Sequence, residues 1–385
     1  MHVPIGTPSF LYATYTQADA TPCTDNGTNA TFRSASGVLG CPRFGALVRW
    51  PLSANGLTAA GPMQMLFNST CSQFGANGIN FVTSDSQGSL LVSTGAGAND
   101  AATGAGTDVG QYGAAPCTAP GSTWGGHFNA LDPSTFAGKV LLFAAPLPLA
   151  PGPFPYPTVF AAGLHNPFRL TWASVPPKLG APAPPLPSLF AVDTGGAATT
   201  QDELNGPLLG LGQSFGWPCF LGAASVAQFS SPALPNSPCA LTGPHTPPFF
   251  TSAPSAMGSL AALAWHPPTA RWVAADPVHG TIISFSPLAA NGWSQAAADA
   301  SLLVEATGVY ITQLLWVPAS VLPAGTGLLP DSGGALLAVD YVGGKVSQLL
   351  LQNATTHGTS AGRAPSLHLA AAALAALGAV VAAAV

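Results

Sequence analysis

Short apolar runs recur along the chain, each closed by a turn signal. They are rich in Val, Leu and Phe and span Ser89–Gly95, Lys139–Phe143, Ser188–Gly195, Trp272–Asp276 and Ala335–Asp340. Two of them continue into a second strand after a glycine turn, through His279-Gly280-Thr-Ile-Ile-Ser-Phe285 and Gly343-Gly344-Lys-Val-Ser-Gln-Leu-Leu350. Strand–turn–strand units of this kind predict hairpins. An Asp or Thr precedes the turn at positions 94, 193, 276 and 340. The spacing is irregular, but each interval fits one or two propeller blades with variable insertions. The chain therefore reads as all-β. A sandwich competes with a propeller, and the return of one hairpin pattern along the whole chain favours the propeller. Pro/Ala-rich stretches at Ala145–Pro157 and Pro176–Pro187 read as extended surface loops. No linker separates independent domains.

Composition narrows the function classes. Of 385 residues only 6% are charged, against about 25% in a typical soluble domain. With 44 Gly and 39 Pro, a long-helix bundle is excluded, because both residues break helices. The 8 Trp, 19 Phe and 6 Tyr exclude a solvated disordered polymer. Nine basic residues and a net charge of −5 cannot build a nucleic-acid footprint.

Six cysteines stand at Cys23, Cys41, Cys71, Cys117, Cys219 and Cys239, with no Cys-x-x-Cys pair. Zinc ribbons and thioredoxin-like redox motifs are thereby excluded. The even count suits disulfides in an oxidising compartment; buried reduced thiols are the alternative. Loop closure is easiest between near neighbours and favours Cys23–Cys41, Cys71–Cys117 and Cys219–Cys239. Asn-x-Ser/Thr acceptors at Asn26, Asn29, Asn68 and Asn353 add to the case for a secretory route. Attached sugar would also offset the scarcity of charge.

The opening Met1-His-Val-Pro-Ile-Gly6 has no basic or apolar leader region, so a secretory reading expects a longer product with a start upstream. At the other end, Leu367–Val385 is almost wholly Ala, Leu, Val and Gly, with His368 as the only polar residue. Ser360-Ala361-Gly362 and a short spacer precede it. Small residues, spacer and apolar tail match a GPI-attachment signal with Ser360 as the attachment residue. A tail-anchor helix and a low-complexity Ala tail are the other readings. The expected division is a propeller over residues 1–355, a spacer over 356–366 and the hydrophobic tail over 367–385.

The densest stretch contains Ala162-Gly-Leu-His-Asn-Pro-Phe-Arg-Leu-Thr-Trp172, Leu189-Phe-Ala-Val-Asp-Thr-Gly-Gly196, Gln201-Asp-Glu-Leu-Asn205 and Ser214-Phe-Gly-Trp-Pro218. In order and character this resembles the glucose/sorbosone dehydrogenase family, six-bladed propellers related to soluble quinoprotein sugar dehydrogenases. Weaker matches at Ser89–Gly95, Leu131–Phe143 and Leu336–Leu350 extend the resemblance over about residues 8 to 352. It implies a six-bladed β-propeller whose first blade is incomplete. The tail and cysteines are similar to the plant-type hedgehog-interacting-protein-like branch, whose members are cell-surface proteins.

The resemblance also implies ligands. In the family, the Glu of the acidic element and a backbone carbonyl near Gly-Trp-Pro hold calcium, which corresponds to Glu203 and Phe215, with Asp202 adjacent. Hard oxygen donors suit calcium. The pair Asp202-Glu203 stands out among 14 acidic residues; a turn or helix-start acid pair is the alternative. The quinone (PQQ) positions correspond to His165, where the family has Arg, together with Asn166 and Arg169.

The chain departs from the family where catalysis is carried. The family's His base precedes a Gly-Gly-x-Ile-x-Phe strand, and the matching Gln73–Phe81 has no histidine. The later basic clamps for a tricarboxylate are missing from Asp276–Phe285. His127, His165, His266 and His279 are candidate substitutes near the central channel, and Arg169 could instead bond main-chain carbonyls. No Gly-x-Ser-x-Gly, His-Glu-x-x-His, P-loop or dinucleotide fingerprint is present. Two functions remain. One is PQQ- and calcium-dependent oxidation of a sugar or polyol. The other is a catalytically degenerate cell-surface propeller that binds a glycan or protein partner.

Overall fold

The computed structural model describes residues 10–18, 43–53, 58–72, 78–97, 126–147, 156–175, 187–195, 201–208, 210, 212–222, 224–226, 229, 239, 244–252, 259–277, 279–285, 301–305, 310–319, 334–340, 345–349 and 370–371. Its regular structure is almost wholly antiparallel sheet.

Blade one is β1 (Phe10–Ala18), β2 (Arg43–Pro51) and β3 (Gln64–Ser72). Blade two is β4 (Ile79–Ser84), β5 (Leu90–Thr94), β6 (Lys139–Phe143) and β7 (Thr158–Ala162). Blade three starts with β8 (Pro167–Ala173), β9 (Ser188–Asp193) and β10 (Glu203–Leu208). Next, β11 (Gln213–Ser214) runs parallel to β7, and β12 (Phe220–Leu221) with β13 (Ala224–Ser225) forms a separate ribbon. Strand β14 (Phe250–Thr251) then returns to pair with β10. Blade four is β15 (Ala262–His266), β16 (Arg271–Asp276), β17 (Thr281–Phe285) and β18 (Ser301–Glu305). Blade five is β19 (Ile311–Pro318), β20 (Gly334–Asp340), β21 (Lys345–Leu349) and β22 (Ala370–Ala371).

The first strands β1, β4, β8, β15 and β19 touch one another in chain order. Blades joined in this way through their first strands make the chain a β-propeller. Five blades lie among the described residues, and the first has three strands where the others have at least four.

The second strands are nearly buried throughout: β5 and β9 are covered along almost their whole length. Each is sandwiched between neighbouring blades, which is why its sequence is a continuous apolar run. Inner strands β8 and β19 bury only every third residue or so.

Four cores join the blades in series. Leu47, Leu66 and Phe67 of blade one meet Val82, Leu90 and Phe143 of blade two. Leu91 and Val140 meet Leu170 and Leu189. Phe190 and Leu204 meet Trp265 and Trp272. Ala264 and Val273 meet Leu314 and Leu336. Burying such side chains contributes roughly 25 cal/mol per Å² of apolar surface.

Cys219 and Cys239 form a disulfide with Cα atoms 5.3 Å apart, as loop closure favours. Cys23, Cys41, Cys117 and the Cys71 side chain lie outside the described residues, as do Asn26, Asn29, Asn353 and Ser360. No helix among the described residues is long and apolar enough to cross a membrane.

Candidate functional site

The turns after the second strands meet the connections that lead into the first strands. Asp193 ends β9, and the register Pro167↔Asp193 sets it beside the start of β8. Its carboxylate accepts the His165 N–H at 2.9 Å and the Asn166 N–H at 2.5 Å. Asp340 repeats the device on blade five. It lies opposite Ile311, and its Oδ1 accepts the Tyr310 N–H at 3.2 Å. The turn-marking Asp at 193 and 340 thus closes amides entering an inner strand. Asp276 instead closes its own hairpin, accepting the His279 N–H at 3.2 Å and facing His279 Nδ1 at 2.8 Å. Thr94 accepts the Lys139 N–H at 3.2 Å.

Asp202 and Glu203 are consecutive in extended chain, so their side chains leave on opposite faces. Asp202 Oδ1 accepts the Gly195 N–H at 2.6 Å, and Oδ2 accepts that of Leu260, just before blade four. Glu203 Oε1 accepts the Gly222 N–H at 2.5 Å, in the turn of the β12–β13 ribbon. Its Oε2 accepts Asn205 Nδ2–H at 3.0 Å. Both residues are buried. Burial pushes the Asp202 pKa up to about 6, with Asp193 and Asp276 adding to the rise and the Leu260 and Gly195 amides opposing it. Burial likewise raises Glu203, helped by Asp193 and opposed by Gly222, Asn205 and His165.

These shifts fix a sign for pH. A carboxyl whose pKa is higher in the folded than in the unfolded chain makes folding take up a proton. The contribution of Asp202 is present in full below its ordinary value of 3.8 and is lost as pH rises through about 6. Thermal melting without divalent cations should therefore give a lower Tm at pH 7 than at pH 5, provided the other groups are matched by an Asp202→Asn control. A control whose pH slope equals the parent's would refute the assignment to Asp202.

A crevice beside this acid cluster is lined by His165, Asp193, Gln201 and Glu203 and by Trp217, Phe220 and Leu221. His165 Nδ1 lies 2.6 Å from the Thr194 carbonyl, which can only accept, so Nδ1 carries the proton. Its ring packs on Trp217 with centroids 4.4 Å apart, and His127 lies at 5.9 Å. The segment holding the disulfide closes over this group, with Trp217, Cys219 and Phe229 packed on Phe128 and Ala130. Lys139, fully buried, fixes the 3-10 helix Gly126–Ala130 that carries His127. Its Nζ donates to the carbonyls of Asn129, Ala130 and Ala137 at 2.7–2.9 Å. Burial lowers its pKa to about 7, and Asp132 opposes the fall.

The sequence-assigned quinone residues have separate partners. His165 faces the crevice. Asn166 Oδ1 accepts Asn80 Nδ2–H at 2.7 Å, tying blade three to blade two. Arg169 donates through Nε and Nη2 to the Thr312 carbonyl at 3.0 and 2.8 Å, a link from blade three to blade five. Its guanidinium packs over Phe81 and Phe168, and burial lowers its pKa to about 10. Of the four candidate histidines, His127 and His165 come together. His266 is buried against Trp316 and bonds Thr269 Oγ1, and His279 sits on an exposed turn.

The assigned calcium residues do not fit a shared ion. Asp202 and Glu203 face apart, and each of their carboxylate oxygens already accepts an N–H. Phe215, assigned through its carbonyl, is fixed beside blade two by its N–H, which donates to the Ala162 carbonyl, and by its buried ring. No group of three or more His, Cys, Asp or Glu placed to hold a metal occurs among the described residues. The quinone does not fit either, since the fork of Arg169, the one cation assigned to it, is turned to a carbonyl.

Three residues of this region escaped the functional reading of the sequence. Asp193 had a signal, its recurrence at strand ends. Trp217 lay inside the quoted Gly-Trp-Pro element, and Lys139 opened the apolar run Lys139–Phe143. Nothing local marked Trp217 as packed on His165 or Lys139 as buried under the His127 helix.

No family model matches the chain, and no curated protein sequence is similar to it. Solved structures are. A structure described as glucose dehydrogenase matches at 15% identity with a TM-score of 0.50, over 90% of this chain and 79% of its own. A putative oxidoreductase (glucose dehydrogenase) of Thermus thermophilus matches at 16% identity with a TM-score of 0.48, over 88% and 75%. The soluble aldose sugar dehydrogenase of Escherichia coli, in its apo form, matches at 12% identity with a TM-score of 0.47, over 86% and 75%. At such identities the first likeness speaks to fold alone: this chain shares its propeller architecture.

Proposed function

We propose that the chain is an extracellular, cell-surface propeller of sugar-dehydrogenase architecture that binds a glycan without oxidising it. One observation carries the reading. The carboxylates and the guanidinium assigned to calcium and quinone are spent on the fold's own amides and carbonyls. The crevice sets Trp217 and Phe220 beside the Gln201 side chain, groups of the kind a sugar face meets, and its walls must part before a sugar ring can enter. The Cys219–Cys239 disulfide supports an oxidising compartment, and the tail motif supports lipid attachment at Ser360.

Oxidation with PQQ and calcium is the second reading. It is favoured by Glu203, a buried carboxyl raised in pKa beside His165, since perturbed acids in clefts mark reactive sites. Purified protein should be incubated with calcium and the quinone and assayed for aldose-dependent dye reduction. No reduction is expected, while calorimetry with neutral oligosaccharides should show binding that Trp217→Ala removes. Dye reduction above the quinone-free blank would overturn the non-oxidising reading. On cells, a phosphatidylinositol-specific phospholipase should release the protein into the medium, and its retention would count against a cleavable lipid anchor.

A further inference from the structure

We propose that Asn68 carries an N-linked oligosaccharide that covers the open edge of blade one, an inference that rests on the extracellular reading above. Asn68-Ser69-Thr70 is an acceptor sequence, and it lies on β3. Among the described residues β3 pairs only with β2, whereas each of blades two to five has a fourth strand. An unpaired edge is a template for association with another chain, and proteins blunt such edges with charge, bulges or cover. This chain has only 6% charged residues with which to do so.

The local geometry suits a glycan. The β2–β3 ladder slips between Gly45↔Thr70 and Leu47↔Phe67. Such a bulge twists the strand and re-aims its side chains. Asn68 is exposed between buried Phe67 and buried Thr70. The Thr70 hydroxyl, by contrast, is locked inside: it donates to the Gly45 carbonyl at 3.0 Å. A Cβ on Gly45 would collide with that hydroxyl oxygen, so the two residues are fitted to each other. An enzyme that reads the Thr hydroxyl of the acceptor must therefore act before blade one closes. In that transfer the Asn68 amide nitrogen bonds to the anomeric carbon of a lipid-diphosphate-linked oligosaccharide. The lipid diphosphate leaves, and the amide proton passes to the transferase.

The full chain should be secreted from eukaryotic cells behind a cleavable leader. Peptides are then mapped after glycosidase release in ¹⁸O water, which marks each formerly occupied Asn. Asn68 is expected to be marked. Asn68→Gln should lose that mark and shift sedimentation toward dimers and larger species, while Asn26→Gln should leave sedimentation unchanged. A secreted chain with Cys219–Cys239 formed but Asn68 unmarked overturns the proposal and leaves the extracellular reading standing. A chain retained inside the cell, with both cysteines as thiols, overturns the extracellular reading and the proposal with it. Marking without any change in association on Asn68→Gln overturns the edge-covering role.

Discussion

Asp193→Ala is expected to lower stability by about 2–4 kcal/mol, because it strands two buried main-chain donors at about 1–3 kcal/mol each. Asp193 is buried, and both of its oxygens accept amides of the connection entering β8. Water entering the emptied space would recover part of the loss. Asp193→Asn keeps one acceptor and turns an NH₂ toward the other amide, so its loss should fall between that of Ala and the parent. Urea unfolding read by tryptophan fluorescence gives both values. An Ala variant within about 0.5 kcal/mol of the parent, the usual range for surface changes, would mean that the carboxylate does not hold this connection.

The second large effect lies in the core between blades three and four. Trp272 is fully buried and packs edge-on against Phe190 at 5.0 Å and Trp265 at 5.2 Å. Removing a buried Trp to Ala costs about 3–5 kcal/mol in lost transfer energy and residual cavity. The indole brings a penalty of its own, because Trp272 Nε1 is buried with no hydrogen-bond partner. Trp272→Phe loses some contact but also removes a donor whose burial costs about 1–3 kcal/mol. The Phe variant is therefore expected within about 1.5 kcal/mol of the parent, the usual bound for well-matched apolar swaps. If Phe proved as damaging as Ala, the indole N–H would be doing something that its surroundings do not explain.

How much of the fold was legible follows from where each strand sits. The runs visible in the sequence, at Ser89, Ser188, Trp272 and Ala335, became β5, β9, β16 and β20. Those are the sandwiched second strands, where both faces must be apolar. The inner strands β8 and β19 bury only about every third residue and mix polar residues such as Arg169 and Gln313 with apolar ones, so their pattern is weaker than that of the second strands. Strand β14, two residues that close blade three after a long excursion, has no periodicity to detect. For the site, composition drew attention to Asp202-Glu203. It could not tell that the two carboxyls serve different neighbours, Leu260 in one direction and Gly222 in the other. Which amide lies in reach is a fact of tertiary structure. The alternative weighed for Arg169, a bond to a carbonyl, is what its geometry displays.

The four inter-blade cores have a consequence for how damage spreads. Each blade meets its sequence neighbours, so cooperativity passes along the chain like a signal through coupled links, as in solenoid arrays. A lesion in the core between blades one and two loosens that joint, and the same lesion around Trp272 loosens the joint between blades three and four. Links that bypass a neighbour then matter out of proportion to their size. The Arg169 bond to Thr312 is one, a shortcut from the third blade to the fifth.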